Sequence, residues 1–240
     1  MRDYLDQTRS AWGSYLFVLP LLFAYQIVAL VGNLGQPRHV INGADAILQV
    51  ALRGMGLNGW LGSWLVVALL VGLVLRWRWS PKKPVALGYF SFVLLESTAY
   101  ALVFGSLVSM LTSLVLPMAP FLQMGGGGLG FGQKLAASLG AGLYEELVFR
   151  VILTGGAIGL LKASGVKRGA AVAVAVIFSS VIFSAFHYIG PSGDLFSIGS
   201  FTFRAIAGLV LAGLFAARGF AVAAWTHALY DVFLLLVGRA

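Results

Sequence analysis

Long apolar runs recur from one end of the chain to the other, and they constrain the fold more than any other sequence feature. A helix needs about 20 mostly apolar residues to cross the hydrocarbon core of a membrane, and the sequence holds seven runs of this kind. The chain is 60% hydrophobic and only 10% charged. Because backbone polar groups inside lipid must be bonded within the protein, such runs form helices. We therefore predict an all-α fold, a polytopic transmembrane helix bundle surrounded by the lipid bilayer.

The apolar runs and the basic loops between them predict the order of the spans. With approximate bounds, the seven predicted spans are 11–32, 57–75, 86–116, 133–161, 169–188, 195–217 and 220–237. Lys and Arg gather after the second, fourth and sixth spans, which places the N-terminus in the cytoplasm and the C-terminus outside. Apolar spacing over 40–52 predicts a helix that lies at the interface or packs on the bundle. An eighth span drawn from 38–56 is the alternative.

Charge and cysteine content exclude several classes of function. The net charge of +8 does not indicate a nucleic-acid partner, because the basic residues lie in short loops, where membrane topology accounts for them. The absence of Cys excludes disulfides and thiolate metal sites. We interpret the first apolar run as a retained span rather than a cleaved signal peptide.

Three charged side chains interrupt the fourth predicted span: Glu145, Glu146 and Arg150. Placing one charged side chain at the middle of a bilayer costs about 2.5–3.5 kcal/mol on insertion scales, so such groups are paired, hydrated or functional. Glu146 precedes Arg150 by four residues, which is the favourable order for an ion pair within a helix. Glu145 lies about 100° from Glu146 around an α-helix, so it is the carboxylate that this pairing leaves over.

Two other predicted spans carry ionisable groups that can meet Glu145: His187 in the fifth, and His227 with Asp231 in the seventh. A buried glutamate can hold and deprotonate a water, and histidines can stabilise an oxyanion. The same side chains can instead bind a divalent metal, and either arrangement fits hydrolysis of an acyl bond. Helical rise leaves the two histidines roughly 15 Å apart in depth. They converge only if the last hairpin is recessed, the helices tilt, or the fifth span begins outside the bilayer.

Three motifs occur in order between 133 and 236: Glu145-Glu146-x-x-x-Arg150, Phe183-x-x-x-His187 and His227-x-x-x-Asp231. Together they resemble the motif set of the CPBP family, which contains CAAX prenyl endopeptidases and bacteriocin-processing or immunity proteins, also called Abi. The resemblance implies an intramembrane endopeptidase. The chain length allows one compact membrane domain, in which the resemblance implies a catalytic core over 133–240 and leaves 1–132 without recognised motifs.

The resemblance assigns a role to each motif residue. Glu145 is the catalytic glutamate that activates water, and Glu146 with Arg150 is the supporting pair. His187 and His227 complete the catalytic site and stabilise the oxyanion. The glutamate mechanism uses no cofactor, and we favour it over a zinc mechanism.

Asp231 stands where the family often has asparagine. An ionised aspartate cannot donate a hydrogen bond to an oxyanion, so Asp231 must be protonated, orient His227, or bind a metal. A zinc site would use Glu145, His187, His227 and Asp231. Phe183 lies one turn before His187 on the same face, where ordinary helix packing explains it, although it can also form a wall of the pocket.

The sequence leaves alternatives for function and substrate. The rivals to the endopeptidase are a proton- or ion-coupled transporter and a non-catalytic immunity protein of the same fold. The substrate is a peptide or membrane-anchored protein, and a prenylated CAAX tail, a leader peptide and a sorting tail all remain open. The resemblance places the protein in the inner (cytoplasmic) membrane of a bacterium. For the buried charges Glu96 and Arg204 we predict structural pairing, with each other or with groups near the site.

Overall fold

The computed structural model describes residues 2–36, 39–56, 64, 85–117, 129–190 and 193–238, which form helices and no strand, as predicted. In chain order the α-helices are α1 (Arg2–Arg9), α2 (Ala11–Gly32), α3 (Gly43–Gly54), α4 (Tyr89–Val115), α5 (Phe131–Gly140), α6 (Gly155–Ala163), α7 (Arg168–Phe186), α8 (Ile198–Arg218) and α9 (Phe220–Leu236). Two π-helical segments, π1 (Ala141–Glu145) and π2 (Leu147–Thr154), connect α5 to α6.

Within the described residues, α2, α4, α7 and α8 are the four helices long and apolar enough to cross a membrane. Their outer faces carry exposed large apolar side chains, such as Phe92, Leu102 and Met110 on α4. Such faces suit contact with lipid. The chain is therefore an integral membrane protein of the helical type.

The second predicted span and the alternative eighth span together cover residues 38–75. The predicted span 57–75, Trp64 apart, and the basic cluster 76–83 lie outside the described residues. Helix α3 has 12 residues, which at 1.5 Å per residue make it about 18 Å long. That is shorter than the hydrocarbon core of about 30 Å. Residues 43–54 thus form a helix where one was predicted, and the choice between seven and eight spans stays a prediction.

Helix α9 lies at the centre of the bundle, where it packs against α2, α4, α5, α8 and π1. Its first turns consist of small or β-branched residues that are completely buried, from Ala221 to Ala224. Small side chains let neighbouring helices approach closely, which is how helices pack inside membranes. This position puts the later turns of α9, with His227, against the helix that carries Glu145.

A glycine in π1 sets the distance between these two helices. A Cβ atom on Gly142 would lie 2.4 Å from the carbonyl oxygen of Ala224 and 2.5 Å from the Cβ of Ala228. Both distances are shorter than van der Waals contact, so only glycine fits here without displacing α9. The absent side chain brings Glu145 and Glu146, which follow Gly142 within a turn, to the surface of α9.

Helix α1 packs against the turn between α8 and α9. Arg9 of α1 donates from Nε to the carbonyl oxygen of Ala217 at 2.6 Å. Arg218, at the end of α8, is buried and its guanidinium lies over the ring of Tyr4. Helix α1 therefore holds the α8–α9 turn in place, and the depth of this hairpin in the membrane stays a prediction.

The two buried charges outside the motifs pair structurally, as predicted, but not with each other. Glu96 accepts two hydrogen bonds from Arg218, at 2.6 and 2.8 Å, and this pair joins α4 to α8. Arg204 donates to Asp194, which lies in the segment before α8. Each pair gives a buried charged group a partner of opposite charge. Burial of a charge without such a partner is far less favourable than burial of the pair.

Candidate active site

The residues from Ala141 to Thr154 do not form the regular α-helix assumed from the sequence. They form π1 and π2, with Glu146 between them. A π-helix bonds residue i to i+5, and it occurs mostly as short insertions at functional sites. The assumed angle of 100° between Glu145 and Glu146 therefore does not describe this segment, although the two carboxylates do have different partners.

Glu145 is buried, with 6% of its surface exposed. Its Oε1 atom accepts a hydrogen bond of 2.9 Å from Nδ2 of Asn42, at the start of α3. Its Oε2 atom has no hydrogen-bond partner among the described residues and lies 3.8 Å from Nε2 of His187. A buried carboxylate oxygen of this kind can accept a proton from a water or a substrate.

His187 follows the last residue of α7 and is the most exposed of the site side chains, at 24%. Its Nδ1 atom lies 2.9 Å from the carbonyl oxygen of Phe183. A carbonyl oxygen only accepts hydrogen bonds, so Nδ1 carries the hydrogen. The Nε2 atom is therefore the one that faces Glu145, as an acceptor in neutral imidazole and as a donor in the imidazolium.

The Glu146–Arg150 pair predicted from the sequence is present, and both side chains are buried, at 0% and 1% exposure. Oε2 of Glu146 lies 3.1 Å from Nε of Arg150. Oε1 of Glu146 accepts a hydrogen bond of 2.9 Å from Nδ1 of His227, a contact that the sequence did not indicate. Glu146 thus joins the arginine to the second histidine.

Phe183 packs between the charged groups of the site. The guanidinium of Arg150 lies over its ring, 4.5 Å from the centroid. The rings of His187 and His227 meet it edge to face, at centroid distances of 4.9 and 6.2 Å. An aromatic face attracts a cation, so Phe183 supports Arg150 and holds both imidazoles. The packing role predicted for Phe183 agrees with these contacts.

Asp231 faces His227 from the next turn of α9. Its Oδ2 atom lies 3.7 Å from Nε2 of His227, longer than a hydrogen bond but close enough for electrostatic attraction when the imidazole is protonated. Because Nδ1 of His227 is already bonded to Glu146, Nε2 is the nitrogen left for further chemistry. The two carboxylates thus hold the imidazole from opposite sides.

The four predicted catalytic residues and Phe183 line one cavity of about 650 Å³, in the size range of small-molecule and cofactor pockets. Its lining includes polar side chains from five regions of the chain: Asn42, Glu145, His187, Arg204, His227 and Asp231. Side chains of α4, α8 and α9 supply the apolar remainder. The cavity therefore combines a proton acceptor, two imidazoles and an apolar surface for a substrate chain.

The zinc alternative requires three or more ligands around one point. Among the described residues, no three His, Asp or Glu side chains are grouped in that way. The site side chains contact each other in pairs, Glu145 with His187, Glu146 with His227, and His227 with Asp231.

Two parts of the site were not recognised from the sequence. Asn42 lies 103 residues before Glu145 and carries no motif, although an asparagine just before apolar helical spacing is a recognisable N-cap. Arg204 was recognised as a buried charge, but its place in the cavity wall and its partner Asp194 were not. Only the packing of α3 and α8 reveals these contacts.

Comparison with known proteins agrees with the motifs. A family model described as type II CAAX prenyl endopeptidase Rce1-like matches residues 127–233, which contain every motif residue. No curated protein and no solved structure matches the chain. The resemblance inferred from the motifs is confirmed over residues 127–233, which match the model of the type II CAAX prenyl endopeptidase Rce1-like family, a protease family.

Proposed function

We propose that this protein is an intramembrane endopeptidase that hydrolyses a peptide bond with a water activated by Glu145. The observation that carries the proposal is the Oε2 atom of Glu145. It is buried, lacks a hydrogen-bond partner among the described residues, and faces Nε2 of His187 in a cavity that also contains His227. A general base must lie within reach of the proton it removes, and this oxygen meets that requirement for a water held between Glu145 and His187.

The reaction balances with the residues of the cavity alone. Oε2 of Glu145 takes a proton from the water as its oxygen bonds to the peptide carbonyl carbon. The carbonyl oxygen becomes an oxyanion, and the C–N bond then breaks while Glu145 returns the proton to the departing amine. Glu145 thus acts first as base and then as acid, as general acid–base catalysis permits.

The histidines stabilise the oxyanion from their Nε2 atoms. His227 fits this role when it is doubly protonated, because Glu146 fixes its Nδ1 atom and Asp231 lies opposite Nε2. His187 accepts from the attacking water when neutral and donates to the oxyanion when protonated. We assign Asp231 to orienting His227, the second of the three roles open to it. Hydrogen-bond donors aimed at developing charge are among the largest contributions to catalysis.

The proposal requires no metal. Every proton transfer in it uses the Glu145 carboxylate and the cavity imidazoles. Incubation with a metal-specific chelator should leave cleavage unchanged. Inhibition that is reversed by Zn²⁺ would instead support the metal mechanism.

The proposed setting follows the family. The substrate is a peptide or membrane-anchored protein, the location is the inner membrane of a bacterium, and 133–240 is the catalytic core supported by 1–132. A farnesylated peptide with a CAAX terminus is the first probe, and the same peptide without the lipid is the second. Cleavage of only the lipidated peptide would define the substrate class.

The decisive comparison uses purified wild type, Glu145→Gln and Glu145→Ala, with cleavage normalised to folded protein. Loss of a general base lowers the rate by about 10²–10⁴-fold. Glu96→Gln is the matched control, because it removes a partly buried carboxylate that pairs with Arg218 away from the cavity. Wild-type rates in both Glu145 variants would refute the mechanism. Solute uptake into vesicles without peptide cleavage would support the transporter. A folded wild-type protein that shows neither uptake nor cleavage would support the immunity role.

A further inference from the structure

The side chain of Asn42 makes two hydrogen bonds, one within α3 and one to Glu145. It is the N-cap of α3, and its Oδ1 atom accepts a hydrogen bond of 2.9 Å from the backbone N–H of Ala44. This bond fixes the orientation of the amide, because an N–H donor requires the oxygen at that end. The Nδ2 atom must then point the other way, where it donates to Oε1 of Glu145 at 2.9 Å.

The amide thereby makes the two oxygens of Glu145 unequal. Oε1 has a donor, while Oε2 has none among the described residues and lies beside His187. If the carboxylate rotated about its last bond, it would lose the bond to Asn42. We propose that Asn42 is a positioning residue for the hydrolysis, which holds the Glu145 carboxylate so that Oε2 faces the attacking water. This inference rests on the proposed function of Glu145.

The side chain of Asn42 is closely packed by its neighbours. A Cβ atom on Gly140 would lie 2.6 Å from the Cβ of Asn42, so the glycine leaves the space that the asparagine occupies. Side chains of the helices that meet here pack Asn42 to 6% exposure. A loosely held amide would exchange its bond to Glu145 for solvent, whereas a packed one retains it.

A second network holds α3 itself. Asp45, in the first turn of α3, accepts hydrogen bonds from the hydroxyl of Tyr25 at 2.6 Å and from Nε2 of Gln49 at 3.2 Å. The ring of Tyr25 meets the ring of Tyr144, the residue directly before Glu145, with centroids 5.3 Å apart. Helices α2 and α3 and the segment π1 are therefore locked together at the point where Asn42 reaches Glu145.

The proposal assigns a functional contribution to the N-terminal part of the chain. Asn42, Tyr25 and Asp45 all lie outside residues 127–233, which match the protease family. The matched domain supplies the general base, and α3 supplies the donor that orients it. A core of 133–240 alone would retain Glu145 but lose this donor.

The test separates the capping role of Asn42 from its contact with Glu145. Serine and aspartate cap helices about as well as asparagine, but neither provides the amide N–H. Asn42→Ser and Asn42→Asp therefore keep the cap and remove the donor. Asn33→Ser is the matched control, since Asn33 is also a buried asparagine, lies nine residues earlier and does not line the cavity.

The measurement is kcat and KM for the peptide probe, normalised to folded protein. We expect kcat to fall about 10- to 100-fold in Asn42→Ser, the range for a lost hydrogen bond to a charged group, with KM nearly unchanged. Asn42→Asp should fall further, because it places a like charge beside Glu145. The Asn33 control should keep the wild-type kcat.

Two outcomes decide between the inference and the function on which it rests. If both Asn42 variants keep the wild-type kcat per folded molecule while Glu145→Gln is inactive, Asn42 is only a helix cap and the positioning role is wrong. If Glu145→Gln retains full activity, the proposed function fails first, whatever the Asn42 variants do.

Discussion

Removal of the Arg150 charge should destabilise the protein, and removal of its partner as well should restore much of the loss. Arg150 and Glu146 are 1% and 0% exposed, and their closest charged atoms are 3.1 Å apart. In Arg150→Met the Glu146 carboxylate stays buried without its guanidinium. Breaking a buried pair in this way costs about 3–5 kcal/mol, whereas replacing both members by neutral side chains is often nearly neutral.

This loss of about 3–5 kcal/mol is large relative to the free energy of unfolding of a domain, which is about 5–15 kcal/mol. For a chain of this length each kcal/mol shifts Tm by roughly 2–4 °C. We therefore expect Arg150→Met to lower Tm by about 10 °C, by the same conversion. The double variant Glu146→Gln/Arg150→Met should recover most of that loss.

The assay is thermal unfolding in one detergent, followed by intrinsic fluorescence, together with peptide cleavage below the transition. The double variant should remain impaired in cleavage despite its recovered Tm, because the neutral amide that replaces the Glu146 carboxylate no longer balances a protonated His227. An Arg150→Met protein as stable as wild type would refute the reasoning, since the pair would then contribute nothing. Full activity in the double variant would show that the charge of Glu146 is not needed.

Three further predictions test other contacts. Gly142→Ala places a Cβ against the backbone of α9, so it should lower stability by about 1–3 kcal/mol and reduce cleavage, as measured by thermal unfolding and kcat. Asp231→Asn keeps an oxygen that can orient His227 and should retain more activity than Asp231→Ala in the same cleavage assay; equal losses would contradict the orienting role. Burial raises the pKa of Asp45, so its protonation favours the folded state and stability declines as pH rises through that raised pKa. Thermal unfolding of Asp45→Asn across acidic pH should lack this decline.

Local features of the site could be predicted from the sequence, because helical spacing alone determines them. Glu146 and Arg150 stand four apart, and their pairing persists even though the segment is π-helical. The bounds of α2, α4, α7 and α8 lie close to those predicted from the length of the apolar runs. The π-helix itself could not be predicted, because its residues have the same apolar pattern as an α-helix.

Contacts between distant segments depend on packing that the sequence does not display. The bond between His227 and Glu146 joins residues 81 apart and depends on the space left by Gly142. The position of the α8–α9 turn depends on its contact with α1, where Arg9 bonds to Ala217. An apolar run shows that a helix spans or packs, but it does not show which helix covers its end.

The partners of the buried carboxylates support the proposal of Glu145, rather than Glu146, as the base. Glu146 contacts two cationic or protonatable groups, Arg150 and His227, so its negative charge is already compensated. Glu145 lies 3.8 Å from His187, but its hydrogen bond comes from Asn42, a neutral amide that satisfies one oxygen without adding positive charge. An arginine in that place would form a stable ion pair and leave the carboxylate less able to take a proton. A neutral donor resolves the conflict between holding a buried carboxylate in place and keeping its charge available for chemistry.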